Sequence, residues 1–299
     1  MTKLTAAIGA ALALYAYAAP AKAQATRTWV AGTGSDANSC SRLAPCATFA
    51  AALSKTAAGG EINCVDAGGF GAVSITKAIT IDCGGAGGSI LANGVTGVTV
   101  NAGVNDKIVL RNLNIQGVGT GPNGIRFTGG LHLTVDNVTI TNFTSRGIDV
   151  DKSASGNLYV RDTRIANVPT GVRVFTGAGG INAQLDNVHI DNVTTAGLEV
   201  ASGSTIASIS NSVISNAGGS GLLMSGGGFI NASRTTIAKS GIAVNANATA
   251  SSIRVSAMNL QDNTTAFAFV AGSTISSAGN NKVIGTVGAL PNGVAIPFR

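Results

Sequence analysis

An aliphatic residue closes a short strand-like segment at an almost fixed interval through the middle of the chain. These residues are Ile115, Ile140, Ile165, Ile190, Ile214, Ile237 and Leu260, and successive members are 25, 25, 25, 24, 23 and 23 residues apart. Each closes an alternating run rich in β-branched and aliphatic residues, such as LRNLNI or VDNVTI, which is typical of a strand. A constant period in this range indicates a repeat architecture in which every unit packs on its neighbours.

A second strand is predicted in each repeat, after a short polar turn. Its segments are GIRF at 124, GIDV at 147, GVRV at 171, GLEV at 197, GLLM at 221, GIAV at 241 and AFAF at 266. The glycine that opens all but the last segment fits either positive φ or a close backbone approach. Two asparagine columns, Asn112, Asn137, Asn187 and Asn211 with Asp162, and Asn142, Asn167, Asn192 and Asn216, are expected to stack at the bends and satisfy buried polar groups.

These features predict an all-β fold with about nine coils of 23 to 25 residues, which is the pattern of a parallel β-helix. In repeat pattern and coil length, residues 60 to 285 resemble the right-handed parallel β-helix proteins of the pectin lyase-like superfamily. The resemblance implies the right-handed form, and that hand agrees with the general preference of parallel crossovers.

The remaining segments predict an exported protein with capped ends. Residues 1–23 form a signal peptide pattern with Lys3, an apolar run and an Ala-Lys-Ala cleavage motif. Residues 24–60 form an N-terminal cap containing an amphipathic helix from Cys46 to Ala58, residues 61–285 form the β-helix, and residues 286–299 form a C-terminal cap or tail. The 24–60 segment also resembles the opening of extracellular β-helix proteins that act on polysaccharides. The sequence predicts no transmembrane segment.

The four cysteines are an even number, as expected in an oxidising, secreted or periplasmic compartment. Cys40 and Cys46 flank one short loop, whereas Cys64 and Cys83 hold matching places about one coil apart. The favoured pairs are therefore Cys40 with Cys46 and Cys64 with Cys83. For the second pair, two stacked thiols in the core are the alternative.

Two columns of alternating charge are predicted to face outward. One runs Thr99, Arg126, Asp149, Arg173, Glu199, Leu223, Ala243 and Ala268, and the other runs Arg111, Asp136, Arg161 and Asp186 before Ser210, Ser233 and Ser256. Because neighbouring coils are about 4.8 Å apart, both columns are expected to form ion-pair ladders, which stabilise a sheet by roughly 0.2–1 kcal/mol per pair.

The resemblance to β-helix polysaccharide enzymes gives part of the first column a functional interpretation. Asp149, Asp151, Arg173 and Glu199 are catalytic candidates, Arg126 and Arg173 are candidates for binding a uronate, and Asp149, Asp151 and Glu199 are candidates for a calcium site. The structural alternative is that the ladders serve mainly to hold the coils together. No cofactor other than calcium is expected.

Two functions therefore stay open. The first is a noncatalytic exported β-helix that binds polysaccharide or serves as a surface or periplasmic structural module. The second is a polysaccharide lyase or glycoside hydrolase acting through the charged face. The formal charge of +6 without a Lys/Arg cluster does not indicate nucleic acid as a partner, and an acidic polysaccharide or a cell surface is expected instead. The sequence leaves the oligomeric state open.

Overall fold

In a computed structural model, which describes residues 24–297, the chain forms parallel strands around one elongated core. The predicted signal peptide, residues 1–23, lies outside the described residues. The elements are β1 (Ala25–Val30), α1 (Phe49–Lys55), β2 (Thr56–Cys64), β3 (Gly68–Gly69), β4 (Val73–Ile75), β5 (Ile79–Asp82), β6 (Gly88–Leu91), β7 (Val98–Asn101), β8 (Lys107–Gln116), β9 (Asn123–Gly129), β10 (His132–Thr141), β11 (Arg146–Lys152), β12 (Gly156–Arg161), β13 (Arg164–Thr176), β14 (Ile181–Asp186), β15 (His189–Val200), β16 (Thr205–Ser210), β17 (Val213–Ala217), β18 (Ser220–Met224), β19 (Gly228–Ser233), β20 (Thr236–Ala238), β21 (Ile242–Ala246), β22 (Ser251–Ser256), β23 (Asn259–Gln261), β24 (Thr265–Phe269), β25 (Thr274–Ser277) and β26 (Lys282–Ile284).

The strands form three parallel sheets that run the length of about nine coils. The first sheet comprises β1, β2, β5, β8, β10, β12, β14, β16, β19, β22 and β25. The second comprises β3, β6, β8, β10, β13, β15, β17, β20, β23 and β26. The third comprises β4, β7, β9, β11, β13, β15, β18, β21 and β24. Strands β8, β10, β13 and β15 bend at a corner and so belong to two sheets each. The predicted parallel β-helix is confirmed.

The isoleucine column forms the continuous core of the second sheet. Ile115, Ile140, Ile165, Ile190, Ile214, Ile237 and Leu260 are consecutive partners in register. Every one of them is fully buried. The predicted register is therefore confirmed over all seven segments.

The glycines at the start of the third-sheet segments allow neighbouring coils to pack closely and do not supply a positive φ. Their backbone conformations lie outside the positive-φ region. A Cβ on Gly147 would lie 2.4 Å from Cγ2 of Ile165 and 2.7 Å from the carbonyl oxygen of Gly171. A Cβ on Gly171 would meet Ile190 in the same way, at 2.7 Å. Of the two roles predicted for these glycines, close approach is the correct one.

The asparagine columns supply the positive φ at the corners. Asn112, Asn137, Asp162, Asn187 and Asn211 occupy the corner between the first and second sheets with φ of 49–55°, and Asn142, Asn167, Asn192 and Asn216 occupy the next corner with φ of 52–61°. Neighbouring side chains bond across coils, as in the 2.7 Å bond from Asn192 to Asn167. These amides are exposed, or only partly buried, at the corners, so the expectation that they satisfy buried groups was wrong. Asn and Asp tolerate this conformation better than other L-residues.

The register differs from prediction in one later coil. Leu223 pairs with Asn245, which in turn pairs with Ala268. The outward column therefore contains Asn245 where Ala243 was predicted, and Ala243 is buried. The turn before this strand is shorter, so an alanine takes the place that glycine holds in earlier coils.

The N-terminal helix is shorter than predicted but lies where expected. Helix α1 begins after Thr48, whose hydroxyl caps Ala51, and ends at Lys55, because the chain turns directly into β2. Its buried residues Phe49 and Leu53 close the first coil, with Phe49 edge-on to Phe70 at 5.2 Å between ring centroids. Strand β1 already pairs with β2, so the predicted cap contributes the first strand of the β-helix as well as the helix.

Both predicted disulfides are present, Cys40 with Cys46 and Cys64 with Cys83. The second joins β2 to the residue that follows β5, one coil later. At the other end, residues 285–297 form no regular strand, but Gly293 and Ile296 donate backbone hydrogen bonds to the carbonyls of Ile275 and Ser277 in β25. The tail therefore extends the first sheet at its far edge.

One lysine lies inside the coil. The Lys152 side chain is buried, its Nζ donates to the carbonyl oxygen of Gly130 at 2.6 Å, and it sits 4.5 Å from the centroid of the Phe127 ring. Burial lowers the pKa of Lys152 below its ordinary value because it disfavours the charged ammonium.

The buried lysine predicts a pH dependence of stability. Between the lowered folded pKa and the unfolded value of about 10.4, the unfolded state binds more protons, so the free energy of unfolding should rise with pH. Lys152→Met should reduce this slope. The pKa of Lys77 is also lowered by burial, so Lys77 should account for the pH dependence that remains in the variant. Denaturant unfolding of the parent and variant from neutral to alkaline pH measures the difference, and equal slopes in the two proteins would contradict the prediction.

Candidate functional site

The predicted charged column lies in register on the third sheet. Arg126 pairs with Asp149, Asp149 with Arg173, and Arg173 with Glu199 in successive coils. Alternation along each strand turns Ile148 and Val150 into the core and puts the charged residues on the opposite face. The third sheet therefore brings four of the five predicted site residues into one line, and Asp151 follows Asp149 on the same strand.

Asp149 is the centre of this face. It is only 2% exposed, although it points away from the core, because arginine side chains cover it. Its Oδ1 lies 3.1 Å from Nη1 of Arg173 and 3.5 Å from Nε of Arg146, and its Oδ2 lies 3.8 Å from Nε of Arg126. A carboxylate with so little solvent is stabilised by positive charges close to it.

Asp151 completes the cluster at its outer edge. Its Oδ2 accepts a hydrogen bond from Nη2 of Arg126 at 2.7 Å. We call Arg126, Arg146, Asp149, Asp151 and Arg173 the arginine–aspartate patch. It holds three guanidinium groups against two carboxylates, so its formal charge is +1. The side chains of Arg126 and Arg146 remain 44% and 31% exposed, whereas that of Arg173 is 19% exposed.

The predicted ladder stops before Glu199. No carboxylate oxygen of Glu199 lies within 4.0 Å of an arginine nitrogen in residues 24–297, and Glu199 instead accepts a 2.6 Å hydrogen bond from the hydroxyl of Ser225. The continuous four-member ion-pair ladder was therefore wrong at its last step. Arg173 is already engaged by Asp149 and stacks near Phe175, with Cζ 5.0 Å from the ring centroid.

Two members of the neighbourhood were missed from the sequence. Arg146 is the first residue of β11, three residues before Asp149, and its Nε lies 3.5 Å from Oδ1 of that aspartate. Phe175 is the register partner of Asp151 and places an aromatic ring beside the patch. The spacing of Arg146 from Asp149 was a usable signal, because an arginine side chain is long enough to reach a carboxylate three residues along the chain.

The predicted calcium ligands are not gathered into one group. In the described part of the chain, no three His, Cys, Asp or Glu side chains are placed so that they could hold a metal ion. Asp149 and Asp151 contact arginines, and Glu199 contacts Ser225. Ca²⁺ takes six to eight oxygen ligands, and these carboxylates are directed at cationic or hydroxyl partners.

The second charged column lies on the first sheet and is also only partly an ion-pair ladder. Asp136 bonds to Arg161 at 2.7 Å and to Arg111 at 3.2 Å. Asp186 instead accepts hydrogen bonds from Ser210 and Asn211. The hydrogen bond from Arg161 lowers the pKa of Asp136, and those from Ser210 and Asn211 lower the pKa of Asp186. The register was correct, but the expected pair between Arg161 and Asp186 is absent among the described residues.

Asp136 predicts a loss of stability in acid. Its folded pKa lies below the unfolded value of about 3.9, so its contribution is present above that value and is lost as the pH falls through the folded pKa. Asp136→Asn should therefore unfold with a weaker dependence on pH below about 4. Urea midpoints between pH 2 and 6 provide the measurement. A variant with the same acid dependence as the parent would show that the ion pairs of Asp136 do not stabilise the fold.

Comparisons with known proteins agree with the fold. No protein-family model matches the chain, and no curated protein gives a significant match. Among solved structures, the crystal structure of pectate lyase Pel9A superposes with a TM-score of 0.55 over 84% of this chain and 78% of that one, at 13% sequence identity. The chain has a pectin lyase-like parallel β-helix fold. At this identity the likeness shows the fold alone, so the function of the protein has to be argued from the surfaces of the β-helix.

The described part of the chain contains no helix that is both long and apolar enough to span a membrane. Helix α1, with 7 residues, is far too short to do so.

Proposed function

We propose that the protein is an exported, noncatalytic β-helix that binds an acidic polysaccharide through the arginine–aspartate patch. The observation that carries this proposal is the burial of Asp149 beneath three guanidinium groups, two of which keep an exposed edge. Asp149 fixes the arginines in position, and Arg126 and Arg146 present the remaining donors to a ligand.

The chemistry of the patch suits a carboxylate on a sugar. A guanidinium is planar and permanently charged, and its paired donors match the two oxygens of a carboxylate. Its preorganisation by Asp149 and Asp151 lowers the entropy lost when a ligand binds. Phe175 adds an apolar ring beside Arg173, which a sugar face can cover. Successive coils repeat at about 4.8 Å, so one polymer can contact several of them.

The alternative is a polysaccharide lyase or glycoside hydrolase that uses the same face. Its support is the likeness in fold to a solved pectate lyase. Against it, two of the three candidate carboxylates on this face, Asp149 and Asp151, are already engaged by arginines, and the third, Glu199, accepts a hydrogen bond from Ser225. A reaction would require them to exchange those partners for substrate or calcium.

Export rests on separate observations. Two disulfides within the first coils suit an oxidising compartment, and residues 1–23 have the pattern of a signal peptide. We expect the mature protein to begin at Gln24 and to be recovered from the periplasm or the medium. Mass spectrometry of the mature N-terminus tests this, and recovery of the intact chain with residues 1–23 in the cytoplasm would contradict export.

Binding is tested by titrating polygalacturonate into the purified mature protein in a calorimeter. Arg126→Gln combined with Arg146→Gln should weaken binding on the order of tenfold or more, equivalent to about 1.4 kcal/mol. The matched control is Arg164→Gln, which removes an exposed arginine from the second sheet. Equal affinities for the parent and the double variant would overturn the patch as the binding site, as would an equal loss in the control.

The enzymatic alternative is separated by following the absorbance of unsaturated uronate products, with and without calcium, and by a reducing-sugar assay for hydrolysis. We expect no turnover. A signal from the parent that disappears in Asp149→Asn, with unchanged folding, would replace the binding function by catalysis at the same face.

A further inference from the structure

A cleft of about 340 Å³ lies on the first sheet in its C-terminal half, away from the arginine–aspartate patch. The charged column of this sheet ends at Asp186 and continues as Ser210, Ser233 and Ser256 in consecutive register. Arg234 and Arg254 line the cleft on either side of the serines. Within residues 24–297, no carboxylate oxygen lies within 4.0 Å of a nitrogen of either arginine.

Arg234 occupies a corner where earlier coils have Asn or Asp. Its φ is 47°, in the same column as Asn187 and Asn211 with φ of 52° and 50°. Ala257 adopts the same conformation one coil later, with φ of 50°, so the backbone of Arg234 follows the geometry of this corner. Its Nε donates to Oδ1 of Asn211 at 2.8 Å, which continues the asparagine ladder. Neither terminal nitrogen of the guanidinium forms a hydrogen bond with the described residues.

Arg254 is held on the other side of the cleft by an aromatic ring. Its Cζ lies 5.3 Å from the ring centroid of Phe229, one coil earlier. Stacking orients a guanidinium through its face and leaves the donors at its edge available. The hydroxyls of Ser233 and Ser256 form no hydrogen bond within the described chain and supply further donors in the cleft, and Asn231 lines the same wall.

The C-terminal tail closes one end of this cleft. Backbone hydrogen bonds from Gly293 and Ile296 to β25 hold the tail along the edge of the sheet, and Ile296 lines the cleft. One coil before Ser210, Asp186 lies toward the opposite end, but its Oδ1 is engaged by Ser210 and Asn211. The cleft is therefore short, with positive charge at its middle.

We propose that this cleft binds a tetrahedral oxyanion, a sulfate or phosphate ester on a glycan. Two guanidinium groups that have no carboxylate oxygen within 4.0 Å among residues 24–297 supply charge. The serine hydroxyls supply donors in directions that a planar carboxylate would not use. The cleft closed by Ile296 fits a single group and not a continuous polymer track. The cleft lies on another sheet and uses another set of arginines, but the glycan as carrier of the ester rests on the proposed function.

The experiment titrates sulfated, phosphorylated and unmodified dextran oligosaccharides into the mature protein by calorimetry. The key variant is Arg234→Asn, because asparagine suits the corner conformation. It should keep or raise the melting temperature while weakening the charged ligands about tenfold, and Arg254→Gln should do the same to binding. Arg161→Gln is the control, since it removes an exposed arginine of the same sheet that pairs with Asp136.

The relative affinity for the sulfated and the phosphorylated ligand identifies the ester. Unchanged binding by Arg234→Asn, an equal loss in Arg161→Gln, or equal binding of unmodified dextran would each overturn the proposal. If binding survives these variants but is lost in the Arg126 and Arg146 double variant, the ligand occupies the arginine–aspartate patch. If the Arg126 and Arg146 double variant binds polygalacturonate as tightly as the parent does, the proposed function fails, but the proposal for this cleft is unaffected.

Discussion

Replacing Ile165 with aspartate is expected to prevent folding. Ile165 is fully buried and pairs with Ile140 on one side and Ile190 on the other, so its side chain contacts the coils before and after it. Loss of a buried isoleucine costs about 2–5 kcal/mol by itself. An unpaired carboxylate in the same place adds several kcal/mol more. The two costs together approach the whole stability of a typical domain, which is about 5–15 kcal/mol.

Solubility after expression and the circular dichroism spectrum measure this effect. The matched control is Ile165→Val, which keeps the β-branched shape and should cost only about 0.5–1.5 kcal/mol, leaving a soluble β-rich protein. A soluble Ile165→Asp variant with a cooperative unfolding transition would mean that the isoleucine column does not form the core.

The coil register could be predicted from the sequence because a solenoid converts spacing into contact. A residue and its counterpart one repeat later must be neighbours, so a period of 23 to 25 residues placed Arg126, Asp149 and Arg173 in line. Cys64 and Cys83 are only 19 residues apart and were matched by their places in two strand-like segments about one coil apart. The prediction of register failed at Ala243, because Gly241 was aligned with Gly221, whereas the residue in register with Gly221 is Ala243, two positions later.

Side-chain pairing could not be predicted at the same level. Register fixes which Cα atoms are adjacent, but a long side chain can reach several partners. Asp149 thus gained Arg146 from the start of its own strand. Arg173 contacts Asp149 and Phe175, and Glu199 contacts Ser225. The alternating pattern therefore predicted the charged face correctly and its ion pairs only in part.

The division of roles between glycine and asparagine was also hidden in the sequence. Both residue types accept positive φ, so the sequence left open whether the glycines supply this conformation or a close backbone approach. The structure assigns the corner conformation to the asparagines and the close approach of neighbouring coils to the glycines. Composition alone cannot separate these roles, because the separation depends on how tightly two coils pack.

Close packing makes Gly147→Val the second large expected effect. The Cβ alone would lie 2.4 Å from Cγ2 of Ile165 and 2.7 Å from the backbone oxygen of Gly171, and the two γ-methyl groups of valine add further volume. Valine otherwise suits a strand, so any loss arises from overpacking between coils. Overpacking typically costs about 1–3 kcal/mol, and we expect the upper end or more, because one of the two contacts is with backbone.

Denaturant unfolding of Gly147→Val measures this cost. Gly69→Val is the control, because the nearest neighbour of the added Cβ there is the hydroxyl of Ser89 at 3.7 Å.

A smaller substitution separates the contact with Ile165 from the contact with Gly171. Gly147→Ala combined with Ile165→Ala should be less destabilising than the sum of the single changes, since removal of the isoleucine relieves one contact. If the destabilisation by the two substitutions were strictly additive, the need for glycine at position 147 would come only from the close approach of the Gly171 backbone.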